Sequence, residues 1–229
     1  MGYVVEFCGL PGAGKSTLAR AVVAQLRLRA IPTVEVMATL GPDAGRSVRV
    51  ARKVAAIGRA AMEPGSAAVV ARVGLRSGQR DSRDRLARPA NLLVVRHAVR
   101  RGHRRPGVHV LDQGPVQEWW SAALRADHVR VIRQAGSDRG ERSDLVVRVD
   151  APLDLLVKRL DARKTRQSRL ETLGPADRFR ELERGEMLLD SLFDQLVHSP
   201  GTHSPEILRV DGLDPTAPEL IAEIVAGRV

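Results

Sequence analysis

The sequence predicts an α/β fold with a phosphate-binding loop between its first strand and first helix, and three features lead to that reading. Tyr3-Val4-Val5-Glu6-Phe7-Cys8 is an apolar, β-rich run. Gly9-Leu10-Pro11-Gly12-Ala13-Gly14-Lys15-Ser16-Thr17 follows it and fits the pattern G-x-x-x-x-G-K-[ST] without a mismatch. Leu18, Val22 and Leu26 then recur at helical spacing from Ser16 to about Arg29, and strand-like and helix-like stretches alternate along the rest of the chain.

The residue types in this loop have a physical reason. Gly9, Gly12 and Gly14, with Pro11 and Ala13 between them, let successive backbone N–H groups point into one concavity, which the positive end of the following helix also faces. Such a cradle suits a polyphosphate. Lys15 is expected to reach the β- and γ-phosphates, Ser16 to take one position around Mg²⁺, and Thr17 to touch the α-phosphate.

At 229 residues, the chain is read as one domain, 1–229. Hydrophobic residues make up 43% and are spread throughout, which argues against disorder. The absence of a long apolar run and of a secretory leader pattern sets the expectation of a cytoplasmic protein with no membrane partner. Cys8 is the only cysteine, so an intramolecular disulfide and a thiolate zinc cluster are both excluded, and Cys8 is read as a small buried residue. The net charge of +10 invites a nucleic-acid reading. It comes from 33 Arg against 4 Lys scattered along the chain, with only 3% aromatic residues for base stacking, so nucleic acid is not the expected partner.

Ile31 to Ala38 reads as a second strand, left by a turn at Gly41-Pro42-Asp43. Ser47 is the expected N-cap of a helix running to Met62, Glu63-Pro64-Gly65 breaks it, and Ser66 to Arg76 resumes helical spacing. Residues 78 to 89 are charged and expected to be exposed, before a helix from Leu86 to Arg101 with Pro89 in its first turn. Val108-His109-Val110-Leu111-Asp112 is an apolar strand ending in a carboxylate, placed to meet a metal's water shell or the attacking group. Gln113-Gly114-Pro115 turns into a helix bearing Gln117, Trp119 and Trp120, the tryptophans being either core or a stacking surface.

Ser143 to Asp150 reads as a further strand, entering through Ala151-Pro152 a helix from Leu153 to about Lys164. Arg159 and Arg163 are one helical turn apart, and Arg166 and Arg169 follow in a polar stretch ending at Gly174-Pro175. These arginines are either phosphate-neutralising groups on a lid over 159–175 or a solvated basic face. Asp177 to Val197 is expected to be amphipathic, with Phe179, Leu182, Met187, Leu188, Leu192, Phe193 and Leu196 inward. A loop over 198–205, a last strand from Glu206 to Gly212 and a helix from Pro218 to Ala226 complete the chain. The 6 histidines show no metal-ligand spacing.

This order of features resembles the nucleotide and nucleoside kinases among P-loop proteins, thymidylate kinases in particular. Gly9 to Thr17 is the specific match; Val108 to Asp112, Val146 to Arg163 and Val210-Asp211-Gly212 are similar in order and character to the group's third strand, lid-bearing segment and adenine-bordering turn. The resemblance implies a P-loop NTPase three-layer sandwich: a five-stranded parallel sheet between helices, a helical lid and an acceptor-binding region, with ATP and Mg²⁺ at the carboxyl ends of the strands. It also implies Asp211 beside the adenine. The chain departs from thymidylate kinases in two places: Gln113 stands where Arg usually follows the third-strand Asp, and Met37-Ala38-Thr39-Leu40-Gly41 stands where Glu-Pro-Gly is usual.

The function expected is therefore ATP- and Mg²⁺-dependent transfer of the γ-phosphoryl group to a small acceptor, a nucleoside monophosphate or nucleoside first, a sugar or antibiotic hydroxyl second. Residues 35–120 should form the acceptor region, with Glu35, Gln113 and Gln117 as contacts and Asp112 or Glu35 as proton acceptor. A homodimer is left open. The guanine-reading Asn-Lys-x-Asp motif is excluded, since Asn91 is the only asparagine. A regulatory ATPase stays as the rival, although Gln113 rather than a water-activating glutamate follows Asp112.

Overall fold

The computed structural model describes residues 1–36, 55–63, 65–79, 81–138, 140–162, 173–198 and 204–229. Their strands are β1 (Gly2–Cys8), β2 (Thr33–Glu35), β3 (Gly107–Leu111), β4 (Leu145–Asp150) and β5 (Glu206–Asp211). They form one five-stranded, all-parallel sheet in the order β2-β3-β1-β4-β5. β1 is central, which is why its apolar residues are buried on both faces and the stretch reads as a continuous apolar run. Its register sets Val5 opposite both Val110 of β3 and Leu145 of β4.

Helices cover both faces. On one, α1 (Lys15–Leu28) packs on α9 (Ala217–Ala226). On the other, α4 (Ser82–His103), α5 (Pro115–Ala123), α6 (His128–Gly136) and α8 (Pro175–Val197) pack in series. α7 (Leu153–Asp161) leads from β4 back to α8, while α2 (residues 55–61) and α3 (Ser66–Val69) precede a π-helical turn at Val70–Leu75. The three-layer sandwich expected from the sequence is the fold of this chain.

Several expected boundaries need correction. β2 stops at Glu35, an edge strand shorter than the stretch to Ala38, whose last residues, like Ser47, lie outside the described residues. Residues 78–89 are not an exposed connection: Gln79 and Asp84 are buried and α4 already begins at Ser82. Pro89 lies inside α4 rather than in its first turn, where it can offer no N–H to the Arg85 carbonyl. Gly74 of the π-helical turn lies against that carbonyl, so closely that a Cβ there would sit 3.0 Å from it. α6, capped by Asp127 accepting from Arg130 N at 3.2 Å, was not anticipated. Trp119 and Trp120 are core, and Trp120 Nε1 donates to Gly185 O of α8 at 2.7 Å. Phe179 and Met187 of α8 face outward instead of into the core.

Two charged side chains are fully enclosed beside the sheet. Arg148 of β4 donates to Asp150 at 2.7 Å and Asp190 at 2.5 Å and lies 5.4 Å from the Phe193 ring centroid. Although burial works against its charge, the two carboxylates raise its pKa. Among the described residues Glu6 of β1 pairs with no such cation. Its Oε1 accepts from Val116 N at 3.0 Å and its Oε2 from Ser143 Oγ at 2.8 Å, yet burial outweighs these bonds and moves the carboxyl from 4.5 up to about 7.

A raised carboxyl pKa means that the folded chain holds its proton more tightly than the unfolded one. The stabilisation is present in full below the ordinary carboxylate range and is lost as pH rises through about 7. Between about pH 4 and pH 8 the native protein should lose roughly 3 kcal/mol relative to Glu6→Gln. Urea denaturation of both proteins across this range measures the difference; parallel stability curves would contradict it.

Candidate active site

The phosphate loop joins β1 to α1 over Gly9–Thr17. Gly9, Gly12 and Gly14 take φ values of 151°, 93° and 99°, conformations that side chains resist. Gly9 is doubly constrained, since a Cβ on it would lie 2.4 Å from Val149 O. Gly14 is the N-cap of α1, no side chain caps this end, and the first turn contains no acid. Among the described residues the amides of Gly12 and Gly14 have no protein acceptor. The amino end of α1 thus meets the requirement for an anion site, with backbone donors and a positive dipole end facing the same space.

Lys15 is buried and folds back over the loop, its Nζ donating to Gly9 O and Leu10 O at 2.9 Å each. Ser16 and Thr17 are exposed beside it. Ser16 Oγ donates to Asp112 Oδ2 at 2.8 Å, linking the loop to the residue just beyond β3. A hydroxyl and a carboxylate so placed are hard oxygen donors of the kind Mg²⁺ takes while keeping several waters. The donor set therefore fits a nucleotide polyphosphate with its Mg²⁺. No group of three or more His, Cys, Asp and Glu side chains able to hold a metal ion occurs among the described residues.

The remaining expected residues are distributed around this centre. Arg159 of α7, one of the arginines expected on a lid, donates from Nη1 to Gly12 O at 2.9 Å and so rests on the loop backbone. Arg163, Arg166 and Arg169 lie outside the described residues. Asp211 is exposed and accepts from Leu213 N at 2.9 Å, shaping the turn after β5. Gly212 in that turn lies against the loop, its Cβ position 2.4 Å from Ala13 O. Glu35 is half-buried at the carboxyl end of β2, opposite Val110, and Gln113 is exposed after Asp112. Gln117 is buried on α5, and its Oε1 accepts from Gly9 N at 3.0 Å.

Sequence reasoning missed two groups. One lies along the α4–α5 seam, where Arg88 approaches Asp84 at 3.5 Å and Glu118 at 4.0 Å. In the same region Gln79 Nε2 donates to Ala122 O at 3.1 Å. Arg88 Nε and Gln79 Oε1 are buried with no hydrogen-bond partner among the described residues. The spacing of Asp84 and Arg88, one helical turn, was the available signal. The other is Arg178, buried on α8, which bonds Asp161 and donates to Leu173 O at 2.7 Å, on either side of 163–172. No sequence pattern distinguishes it from the exposed arginines around it.

A phosphate loop between the central strand and first helix of a parallel sheet ordered 2-3-1-4-5 defines a P-loop protein with the nucleoside and nucleotide kinase fold. The chain belongs to the AAA domain family, whose model matches residues 4–176. No functionally curated protein matches it in sequence. Among solved structures it is similar to deoxyadenosine kinase from M. mycoides with the products dCMP and a flexible dCDP bound, at 13% identity and a TM-score of 0.56, over 98% of this chain and 99% of that one. The same enzyme with dATP bound aligns at 13% identity and a TM-score of 0.54, over 97% and 99%. At such identity the likeness extends to the fold.

The loop geometry leads to a direct expectation. Gly9→Ala must place a Cβ against Val149 O or abandon the positive φ, and should destabilise the protein by about 1–3 kcal/mol. Chemical denaturation measures this, and an unchanged unfolding midpoint would show that the loop can take another path.

Proposed function

We propose that this protein is an ATP- and Mg²⁺-dependent kinase that phosphorylates a hydroxyl of a nucleoside or deoxynucleoside. The observation that carries this reading is the 2.8 Å contact between Ser16 and Asp112, which brings a phosphate loop and a third-strand carboxylate together at the carboxyl edge of the sheet. The similarity of fold to a deoxyadenosine kinase supports it. A nucleoside is preferred to a nucleoside monophosphate because neutral Gln113 follows Asp112, in the place where a cation would hold an acceptor phosphate.

ATP with Mg²⁺ supplies the transferable phosphoryl group and neutralises part of its charge. On the protein's side, the loop amides hold the polyphosphate tail, and Lys15 exchanges its contacts with the Gly9 and Leu10 carbonyls for phosphate oxygens. Ser16 and Asp112 would hold the metal, and Arg159, with Arg163, Arg166 and Arg169, would balance charge on the transferred group. Glu35 at the carboxyl end of β2 takes the acceptor's proton, since Asp112 is engaged with Ser16. Arg88 and Glu118 along the α4–α5 seam hydrogen-bond the polar edge of the acceptor's base.

The test is to incubate the protein with ATP, MgCl₂ and a panel of deoxynucleosides, nucleosides, nucleoside monophosphates, sugars and aminoglycosides, and to identify by mass spectrometry what gains phosphate. A phosphorylated nucleoside is the expected product. Lys15→Ala should lower turnover about 100-fold or more with the fold retained, and Arg88→Ala should raise the acceptor KM by about tenfold. Phosphate release at the same rate with and without every acceptor would instead identify an ATPase.

A further inference from the structure

We infer that Gln117 is a positioning residue of the phosphate loop: from α5 it holds the Gly9 amide, and Glu6 of β1 holds α5 in place, so that strand, helix and loop are fixed as one unit.

The bonds form a closed ring. Glu6 accepts the Val116 amide at 3.0 Å, Gln117 is the next residue on α5, its Oε1 accepts the Gly9 amide at 3.0 Å, and Gly9 returns to Glu6 three residues back along the chain. The amino end of α5 has no cap of its own, since Gly114 stands at the N-cap. Glu6 takes that role from a strand distant in sequence, with one oxygen on a first-turn amide and the other on Ser143. The approach is close: a Cβ on Gly114 would fall 2.2 Å from Glu6 Oε2. Glycine at 114 is what lets a strand carboxyl serve as the cap of this helix.

At the other end of the ring, Gly9 is buried with a φ of 151° that glycine alone takes easily, and its amide would lack an acceptor if Gln117 withdrew. Leaving a buried amide unpaired costs more than the bond itself contributes. The loop would then relax from the shape in which Gly12 and Gly14 present their amides. Gln117 thus acts on the nucleotide through Gly9, at a place the acceptor does not need to touch.

The experiment compares Gln117→Met, which keeps the volume and removes the acceptor oxygen, with Gln117→Glu, which keeps an oxygen. Amide hydrogen exchange followed residue by residue needs no ligand. Gln117→Met should speed exchange at Gly9 by about tenfold or more while β3 and α9 stay protected, and Gln117→Glu should restore slow exchange. Calorimetry with ATP and MgCl₂ adds a second readout, resting on the kinase reading above: Gln117→Met should weaken ATP about tenfold, and in turnover should raise the KM for ATP while leaving the acceptor KM near its starting value. If Gln117→Met does not fold, Gln117→Asn, one methylene shorter, replaces it. Unchanged exchange at Gly9, or equal acceleration in the Glu and Met variants, overturns the inference. Should the unmodified protein bind no ATP, the kinase reading falls while the exchange result still decides the role of Gln117.

Discussion

A helix that opens with no side-chain cap and no acid in its first turn keeps its amide donors for something outside the protein, and α1 is such a helix. That constraint organises its surroundings. Lys15, in its first turn, bends onto two loop carbonyls, while Ser16 finds its carboxylate at the end of a neighbouring strand. Arg159 of α7 and Gly212 after β5 close on the loop from one flank of β1, and Asp112 after β3 meets it from the other. Sheet order makes this possible, since parallel strands deliver all their carboxyl ends to the same edge.

The charged groups enclosed beside the sheet serve this arrangement by different means. Arg148 is compensated by two carboxylates and an aromatic face, and Asp150, one of those carboxylates, gives its backbone carbonyl to Gly212 N at 2.7 Å. Its pairing therefore reaches the wall of the loop. Among the described residues Glu6 is supported by neutral donors, Val116 N and Ser143 Oγ, which is why burial can raise its pKa so far. Cys8, between them in space and in chain, is buried with its thiol pKa pushed up by burial, which makes it an inert filler as its position in the strand suggested.

How legible these features were in the sequence depended on the range of the interaction. The glycine pattern and the apolar runs of β1, β3 and β4 are local signals, and each led to the right place; Asp112, named from the same kind of signal, lies just beyond β3 and meets Ser16. α6 was hidden because His128, Arg130 and Arg133 make its exposed side look like a loop, while its buried face rests on Val131, Ile132, Ala135 and Gly136. The start of α4 was hidden because Pro89 suggested a first turn, whereas the neighbouring π-helical turn accommodates it in the interior. The bonds of Glu6 and Gln117 join residues 110 and 108 positions apart, and no window along the chain contains both ends. The tryptophans illustrate the same limit, because their composition allows a stacking surface and only packing against α8 makes them core.

The order of strands also bears on how the chain acquires its structure during synthesis. β1 leaves the ribosome well before its partners β3 and β4, which begin at Gly107 and Leu145. Until β3 has emerged the central strand has neither edge covered, and until β4 follows it has only one, so its apolar residues must wait in a state open to chaperones or to wrong partners. A nascent chain of this design reaches its sheet late and nearly all at once.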